Sequence, residues 1–342
     1  MSASGAERAT PRYAWSGEWL DPADSTLVMT HTALVVTRDG QILTGAAGEP
    51  TLVARDRAGI TLRRTPVDVA LDLHDLTLVE EGGQELLWVA DTATRLYGGE
   101  PSLKIDKIAS RGAVHQIDLE GRLLRTLDPP PLAVYGSVDY RPTAVAVDER
   151  RFGGSGDIWV ADGYGASLVH RFDESGRHLA SLSGEEGAGR FNEPHDVLID
   201  RRRATPELYV TDRVNQRIQV FDLDGGYRRT VGEGEIPGPT QMAISDDDLV
   251  VTDLLSGRVS VFDGDDRLRG HLFAHPSPPR AWEQTPDGWP NARSGDGLIA
   301  AVALVPGSFH TPHGIAVDDD GLIYVSEFAI GGRIAVLTPA SD

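Results

Sequence analysis

The sequence predicts an all-β chain, a six-bladed β-propeller whose ring is closed by an N-terminal strand. Three observations carry that expectation. A short signature recurs along the chain, each copy brings four apolar segments separated by turn residues, and histidine stands at the same place in every second copy.

The signature is an aromatic or apolar residue, then Val, a small residue and an acid. It reads Trp88-Val-Ala-Asp91, Trp159-Val-Ala-Asp162, Tyr209-Val-Thr-Asp212, Val250-Val-Thr-Asp253 and Tyr324-Val-Ser-Glu327, with Ile42-Leu-Thr-Gly45 as a degenerate first copy. A short apolar segment precedes each copy (ALVVT, DLTLV, AVAVD, DVLID, QMAIS, GIAVD). A third segment ending in an acidic turn follows most copies (VHQIDLEGR, VHRFDESGR, IQVFDLDGG, VSVFDGDDR), and a fourth comes after it. Segments rich in Val, Ile and aromatics, punctuated by Gly and Asp, are antiparallel strands. Four-stranded units repeated along a chain are propeller blades.

The six first strands begin near Thr32, His74, Thr143, His195, Thr240 and His313. The sixth copy stops after its third strand, at Arg333 to Thr338. Tyr13 to Trp19 is expected to supply the missing outer strand, leaving no open edge at the junction. Residues 1–342 read as one propeller domain. The Pro-rich stretch 273–309 reads as an insertion between blades five and six, lying over one end of the central channel.

Composition narrows the chemistry. Apolar residues make up 40% of the chain, enough for a globular core. There is no cysteine, which excludes disulfides and thiolate metal sites and leaves His, Asp and Glu as ligands. That fits a reducing compartment. The opening MSASGAERATPRYAWSGEW has no apolar run of signal-peptide type, and no stretch approaches the roughly 18 consecutive apolar residues of a membrane span. A cytoplasmic protein without a membrane partner is expected. The net charge of −20 repels phosphate backbones and anionic lipids, which argues against a nucleic-acid partner.

The alternating histidines carry the strongest functional signal. First strands line the channel of a propeller, and alternate members of a six-fold ring lie about 120° apart. His74, His195 and His313 are therefore expected to converge on the axis at one height. A lone histidine at a strand start ordinarily bonds a carbonyl or caps a turn. Three at matching positions, with Thr in the other blades, point to a metal. Three imidazoles without a thiolate suit Zn²⁺ with a fourth, open position of catalytic type, and Fe or Cu also accept imidazole. His31 and His310 fall out of register; either could support the metal ligands from behind, but both read first as surface loop residues.

The acids ending the signature (Asp91, Asp162, Asp212, Asp253, Glu327) recur in nearly every copy and so read as structural, accepting turn N–H groups. Breaks in the repeat are more telling. Gly163-Tyr164-Gly165 follows Asp162, and Arg213-Val-Asn215 follows Asp212. A tyrosine beside a cation loses its proton more readily and can act as a general base. Arg213 offers a planar fork to a substrate carboxylate. A tyrosine merely packed in the channel mouth and an arginine in a surface ion pair remain the plain alternatives.

These residues carry a resemblance. PHDVLID…LYVTDRVNQRIQVFD resembles the NHL repeat. More narrowly, RPTAVAVD…IWVADGYGASLVHRFDESG…FNEPHDVLID…LYVTDRVNQRIQVFD resembles the peptidyl-α-hydroxyglycine α-amidating lyases. The first likeness runs over residues 30–338; the second is strongest over 141–222. The resemblance implies a propeller that cleaves a carbinolamide C–N bond, giving a peptide amide and glyoxylate. It implies zinc on three histidines that match His74, His195 and His313, a catalytic Tyr matching Tyr164, and a substrate-binding Arg matching Arg213. The chain departs from that pattern twice. The family's further catalytic Arg in blade one has no match in QILTGAAGEP, leaving Arg55 or Arg38 as substitutes. The family's last metal His precedes an Asp that helps bind calcium; here Gly314 follows, which counts against Ca²⁺.

The expected function is a metal-dependent lyase acting on a carbinolamide or related small molecule or peptide. Two other classes stay open. One is an NHL-type interaction propeller without chemistry. The other is a different metal-dependent eliminase or hydrolase acting on a cyclic peptide or antibiotic, as the streptogramin lyases are.

Overall fold

Short runs of Val, Ile and Leu around each signature copy pair into six four-stranded antiparallel sheets, a six-bladed propeller in the computed structural model. The structure describes residues 13–19, 33–46, 49–99, 102–107, 111–277, 292–293, 300–301, 304–329 and 332–340. Among them no helix is long and apolar enough to cross a membrane.

Blade one is Leu34–Val36, Ile42–Gly45, Thr51–Arg55 and Thr61–Pro66. Blade two is Asp75–Glu81, Gln84–Asp91, Ala113–Asp118 and Leu123–Leu127. A hairpin, Thr94–Gly99 paired with Ser102–Lys107, is inserted between its second and third strands; the repeat pattern did not announce it. Blade three is Ala144–Val147, Ile158–Asp162, Leu168–Phe172 and His178–Leu182. Blade four is Pro194–Asp200, Glu207–Asp212, Arg217–Asp222 and Tyr227–Val231. Blade five is Pro239–Ser245, Asp248–Asp253, Arg258–Phe262 and Leu268–Leu272.

Blade six takes Pro312–Val317, Ile323–Glu327 and Ile334–Pro339, and its outer strand is the N-terminal Tyr13–Trp19, antiparallel to the last. The ring is thus closed by both ends of the chain. Between blades five and six, Ala292–Arg293 pairs with Ala300–Ala301. The expected cover of the channel by this insertion lies outside the described residues.

The apolar residues on the two faces of each blade meet those of its neighbours, so among the described residues a core cluster lies at each junction. Trp88 joins Val145 and Val160 between blades two and three, and Trp159 joins Val197 and Leu208 between blades three and four. Tyr209 packs with Met242 and Val251, and Tyr324 with Leu34 and Ile42 across the closure. The bulky first residue of the signature is therefore the inter-blade wedge. The acid ending most third strands makes the outer turn. Asp173 Oδ1 accepts from Ser175 N and Arg177 N at 3.0 Å each, and Asp56, Asp118, Asp222 and Asp263 repeat the motif.

Candidate functional site

The signature also explains how the channel end is built. Second strands run back to the start of the first strands, as Ala144 opposite Ala161 shows. In blades four, five and six this pairing is interrupted just after the strand begins, between Pro194 and Val197, Pro239 and Met242, and Pro312 and Gly314. The freed backbone N–H is taken by the signature's small hydroxyl residue. Asp196 N donates to Thr211 Oγ1 at 2.7 Å, Gln241 N to Thr252 Oγ1 at 2.9 Å, and Gly314 N to Ser326 Oγ at 3.1 Å. In blades two and three the signature has Ala there, and pairing continues unbroken to Asp75 and Ala144.

The terminal acid then ties down the connection from the preceding blade. Asp91 accepts from Leu71 N and Asp72 N, Asp162 from Arg141 N, Asp212 from Asn192 N, Asp253 from Gly238 N, and Glu327 from His310 N and Thr311 N. These carboxylates are spent on backbone, as their recurrence suggested. The loops they hold lead directly into His74, His195 and His313.

The three histidines converge. Each offers a ring nitrogen, and these atoms lie within 4.8 Å of one another. Ring centroids are 5.0 Å apart for His74 and His195, 5.4 Å for His74 and His313, and 4.9 Å for His195 and His313. All three are buried. The intervening threonines Thr143 and Thr240 orient two of them. His74 Nδ1 bonds Thr143 O at 2.8 Å, and His195 Nδ1 bonds Thr240 O at 3.2 Å. A carbonyl only accepts, so Nδ1 carries the proton in both and Nε2 presents a lone pair. The threonine hydroxyls complete the ring, Thr143 donating to Pro194 O at 2.9 Å and Thr240 to Pro312 O at 3.3 Å. The sixth position, Thr32, lies outside the described residues, as does His31.

Burial holds His74 down to about 3 despite the Thr143 carbonyl, with Arg213 adding to the effect. Burial, then His74 and Arg213, hold His313 well below the usual range. These imidazoles are neutral at neutral pH, the form that ligates a metal. Three buried imidazole nitrogens meeting at one point, two of them with the lone pair inward, fit a transition-metal ion.

Tyr164 and Arg213 stand beside them. The Tyr164 hydroxyl is 3.1 Å from His195 Nε2 and 3.3 Å from His74 Nε2. Its glycine neighbours are required by close approach: a Cβ on Gly163 would lie 2.3 Å from Pro194 O, and one on Gly165 2.1 Å from Asp162 Oδ1. Burial pushes the hydroxyl up to about 12, with Arg213 pulling the other way. Arg213 is buried, and its guanidinium lies 5.4 Å from the Tyr164 ring centroid.

The structure adds a residue that the motifs did not indicate. The carboxylate of Glu193 pairs with the Arg213 guanidinium. Glu193 directly precedes Pro194-His195, so only its closeness to a histidine in sequence could have flagged it. Two expectations are corrected. Arg38 and Arg55 lie at the far end of blade one, beside Val36 and Ile42, because antiparallel pairing carries them away from the strand start; Arg38 pairs with Glu80 there. His310 is half-buried with its ring 5.2 Å from His275, because Glu327 draws its backbone inward.

A buried chain of polar groups braces the Tyr164 loop. Asp162 Oδ2 accepts from Tyr135 OH at 2.7 Å and Ala166 N at 2.6 Å. The Tyr135 oxygen meets His170 Nε2 at 2.7 Å, and His170 Nδ1 meets Ser181 Oγ at 2.8 Å. Burial, reinforced by His178, lowers His170 to about 3 from 6.5. The unfolded chain takes up this proton below pH 6.5 and the folded one does not, so stability is lost as pH falls from 6.5 toward 3. At pH 5 that loss is up to about 2 kcal/mol. His170→Gln should flatten the fall in melting temperature between pH 7 and 5 relative to the parent. Parallel pH profiles for the two proteins would refute this.

No family model matches the chain. It is 26% identical over 204 residues to human NHL repeat-containing protein 3, covering 58% of this chain and 53% of that protein. It is 31% identical over 109 residues to a probable peptidyl-α-hydroxyglycine α-amidating lyase of Caenorhabditis elegans, covering 31% of this chain and 27% of that one. The chain therefore spans about half or less of the length of these relatives. A solved streptogramin B lyase structure superposes with a TM-score of 0.57 at 13% identity, over 96% of this chain and 99% of that one. The chain is a six-bladed β-propeller similar in sequence to NHL-repeat and amidating-lyase proteins and similar in fold to a streptogramin lyase.

Proposed function

We propose that the protein is a metal-dependent lyase that breaks the C–N bond of a carbinolamide at the histidine end of the channel. The observation that carries this reading is the meeting of three buried imidazoles and a tyrosine hydroxyl at one point. His74, His195 and His313 would hold the metal, with zinc the first choice and iron or copper the next. Such an ion supplies a Lewis acid and lowers the pKa of an adjacent phenol.

Tyr164 would take the proton of the substrate hydroxyl. As that proton leaves, the C–O electron pair closes to a carbonyl and the C–N bond breaks. The proton on Tyr164 then passes to the departing amide nitrogen, which balances the reaction. Arg213 faces the same space and presents guanidinium donors to an acceptor oxygen on the reacting carbon. Asp162 and its buried partners hold the Tyr164 loop in place. The likeness to an amidating lyase supports the substrate class. The charge of −20 favours a small-molecule or peptide substrate over nucleic acid or an anionic membrane.

Metal analysis of the purified protein beside a His195→Ala variant tests this first. About one transition-metal ion per chain is expected in the parent, lost in the variant, with turnover of carbinolamides by the loaded parent alone. Cleavage of a cyclic peptide antibiotic instead would keep the metal and change the substrate. No metal in either protein after reconstitution with zinc, iron or copper would leave a non-catalytic interaction propeller.

A further inference from the structure

The Glu193–Arg213 pair bears on which substrate this site accepts, and the inference rests on the lyase reading above. Arg213 is the cation that faces the Tyr164 ring, 5.4 Å from its centroid. Its charge is already met by a carboxylate from the same chain, since Glu193 bonds one of its terminal nitrogens. Arg213 is 8% exposed and the Glu193 side chain 26%, so solvent reaches the pair from the Glu193 side only. Arg213 also bonds Tyr164, and its buried Nε has no acceptor among the described residues. A buried donor without an acceptor is costly, which favours any ligand oxygen that fills the gap.

Glu193 is not there by default. Its backbone has φ 64°, the left-handed region that a Glu side chain disfavours. The conformation is held from both sides, Glu193 N donating to Ser167 Oγ at 3.3 Å and Arg213 N to Glu193 O at 3.3 Å. Pro194 and His195 follow at once, so the loop that delivers a metal-facing imidazole also delivers this carboxylate.

We propose that Glu193 sets substrate charge: it occupies the cationic side of Arg213, so that the site selects carbinolamides that are uncharged at the carbon bearing the hydroxyl and rejects those with a free α-carboxylate. A second carboxylate would place two anions on one buried guanidinium, whereas a neutral amide or ester carbonyl takes the remaining Nε donor without like-charge repulsion. The carbonyl product released is then an uncharged aldehyde derivative, and the reaction that supplies the substrate must hydroxylate a carbon already lacking a free acid.

A matched pair of unreactive analogues, N-acetylglycine and N-acetylglycinamide, tests this by calorimetry on the zinc-loaded protein. The parent should bind the neutral amide at least about tenfold more tightly than the acid. Glu193→Gln should reverse that preference, and Glu193→Gly, which suits the left-handed backbone, should do the same if Gln perturbs the loop. Preference for the acid by the parent would overturn the proposal. So would an unchanged ratio in both variants, which would leave the lyase reading standing. Binding of neither analogue to parent or variants would overturn the proposal and the lyase reading together.

Discussion

Tyr164→Phe should lower turnover of a carbinolamide by roughly 10²–10⁴-fold while metal content stays at the parent level, the range expected when a positioned proton-transfer group is removed. The substitution deletes one oxygen, and that oxygen lies 3.1 Å from His195 Nε2 and 3.3 Å from His74 Nε2. The ring itself is kept, so the cation–aromatic contact with Arg213 and the packing between Gly163 and Gly165 persist. The His74 and His195 imidazoles are oriented by the Thr143 and Thr240 carbonyls, which the substitution does not touch. Loss of activity with metal retained would therefore assign proton transfer to Tyr164. Turnover within a few-fold of the parent would remove it from the mechanism, and loss of metal would make it a structural residue.

Deleting residues 1–19 should destabilise the fold by about 5 kcal/mol or more, the exceptional end of the range for local changes, and should favour aggregation. Tyr13–Trp19 is paired along its length with Ile334–Pro339, so its loss exposes a full strand edge. It also removes anchors to three blades. Tyr13 OH meets Ser245 Oγ of blade five at 2.7 Å. Trp15 packs against Phe273 and Phe309 at 5.4 and 5.0 Å, with the Arg333 guanidinium 5.1 Å from its ring centroid. Trp19 lies 5.7 Å from Tyr324, which belongs to the cluster with Leu34 and Ile42 of blade one. Thermal and denaturant unfolding of the truncated and full chains would measure the difference. A truncated chain with the parent's midpoint would show that the ring holds without its closing strand.

Much of the architecture is legible in the sequence because each blade repeats one set of local requirements. The bulky residue of the signature wedges the junctions, the Thr or Ser at its third place serves the bulge, and the acid at its end ties the incoming loop. Periodicity of this kind is visible wherever the same physical demand recurs. The alternation of His and Thr is readable for the same reason, since equivalent positions in a closed ring face one axis. The hairpin Thr94–Lys107 escaped because it occurs once and no other blade supplies a comparison. Arg38 and Arg55 were misread because their end of the blade follows from strand direction, not from nearness to the first copy.

What the sequence by itself determined is the ring, its closure by Tyr13–Trp19 and the three histidines that point to its centre. Only the tertiary structure decided how His74 and His195 are protonated, because the carbonyls of Thr143 and Thr240 come from neighbouring blades. Only it joined Glu193 to Arg213, residues on two different loops of blade four. Repeats encode what each blade needs from itself; the charge and hydrogen-bond state of the site come from contacts between loops that sequence order does not place together.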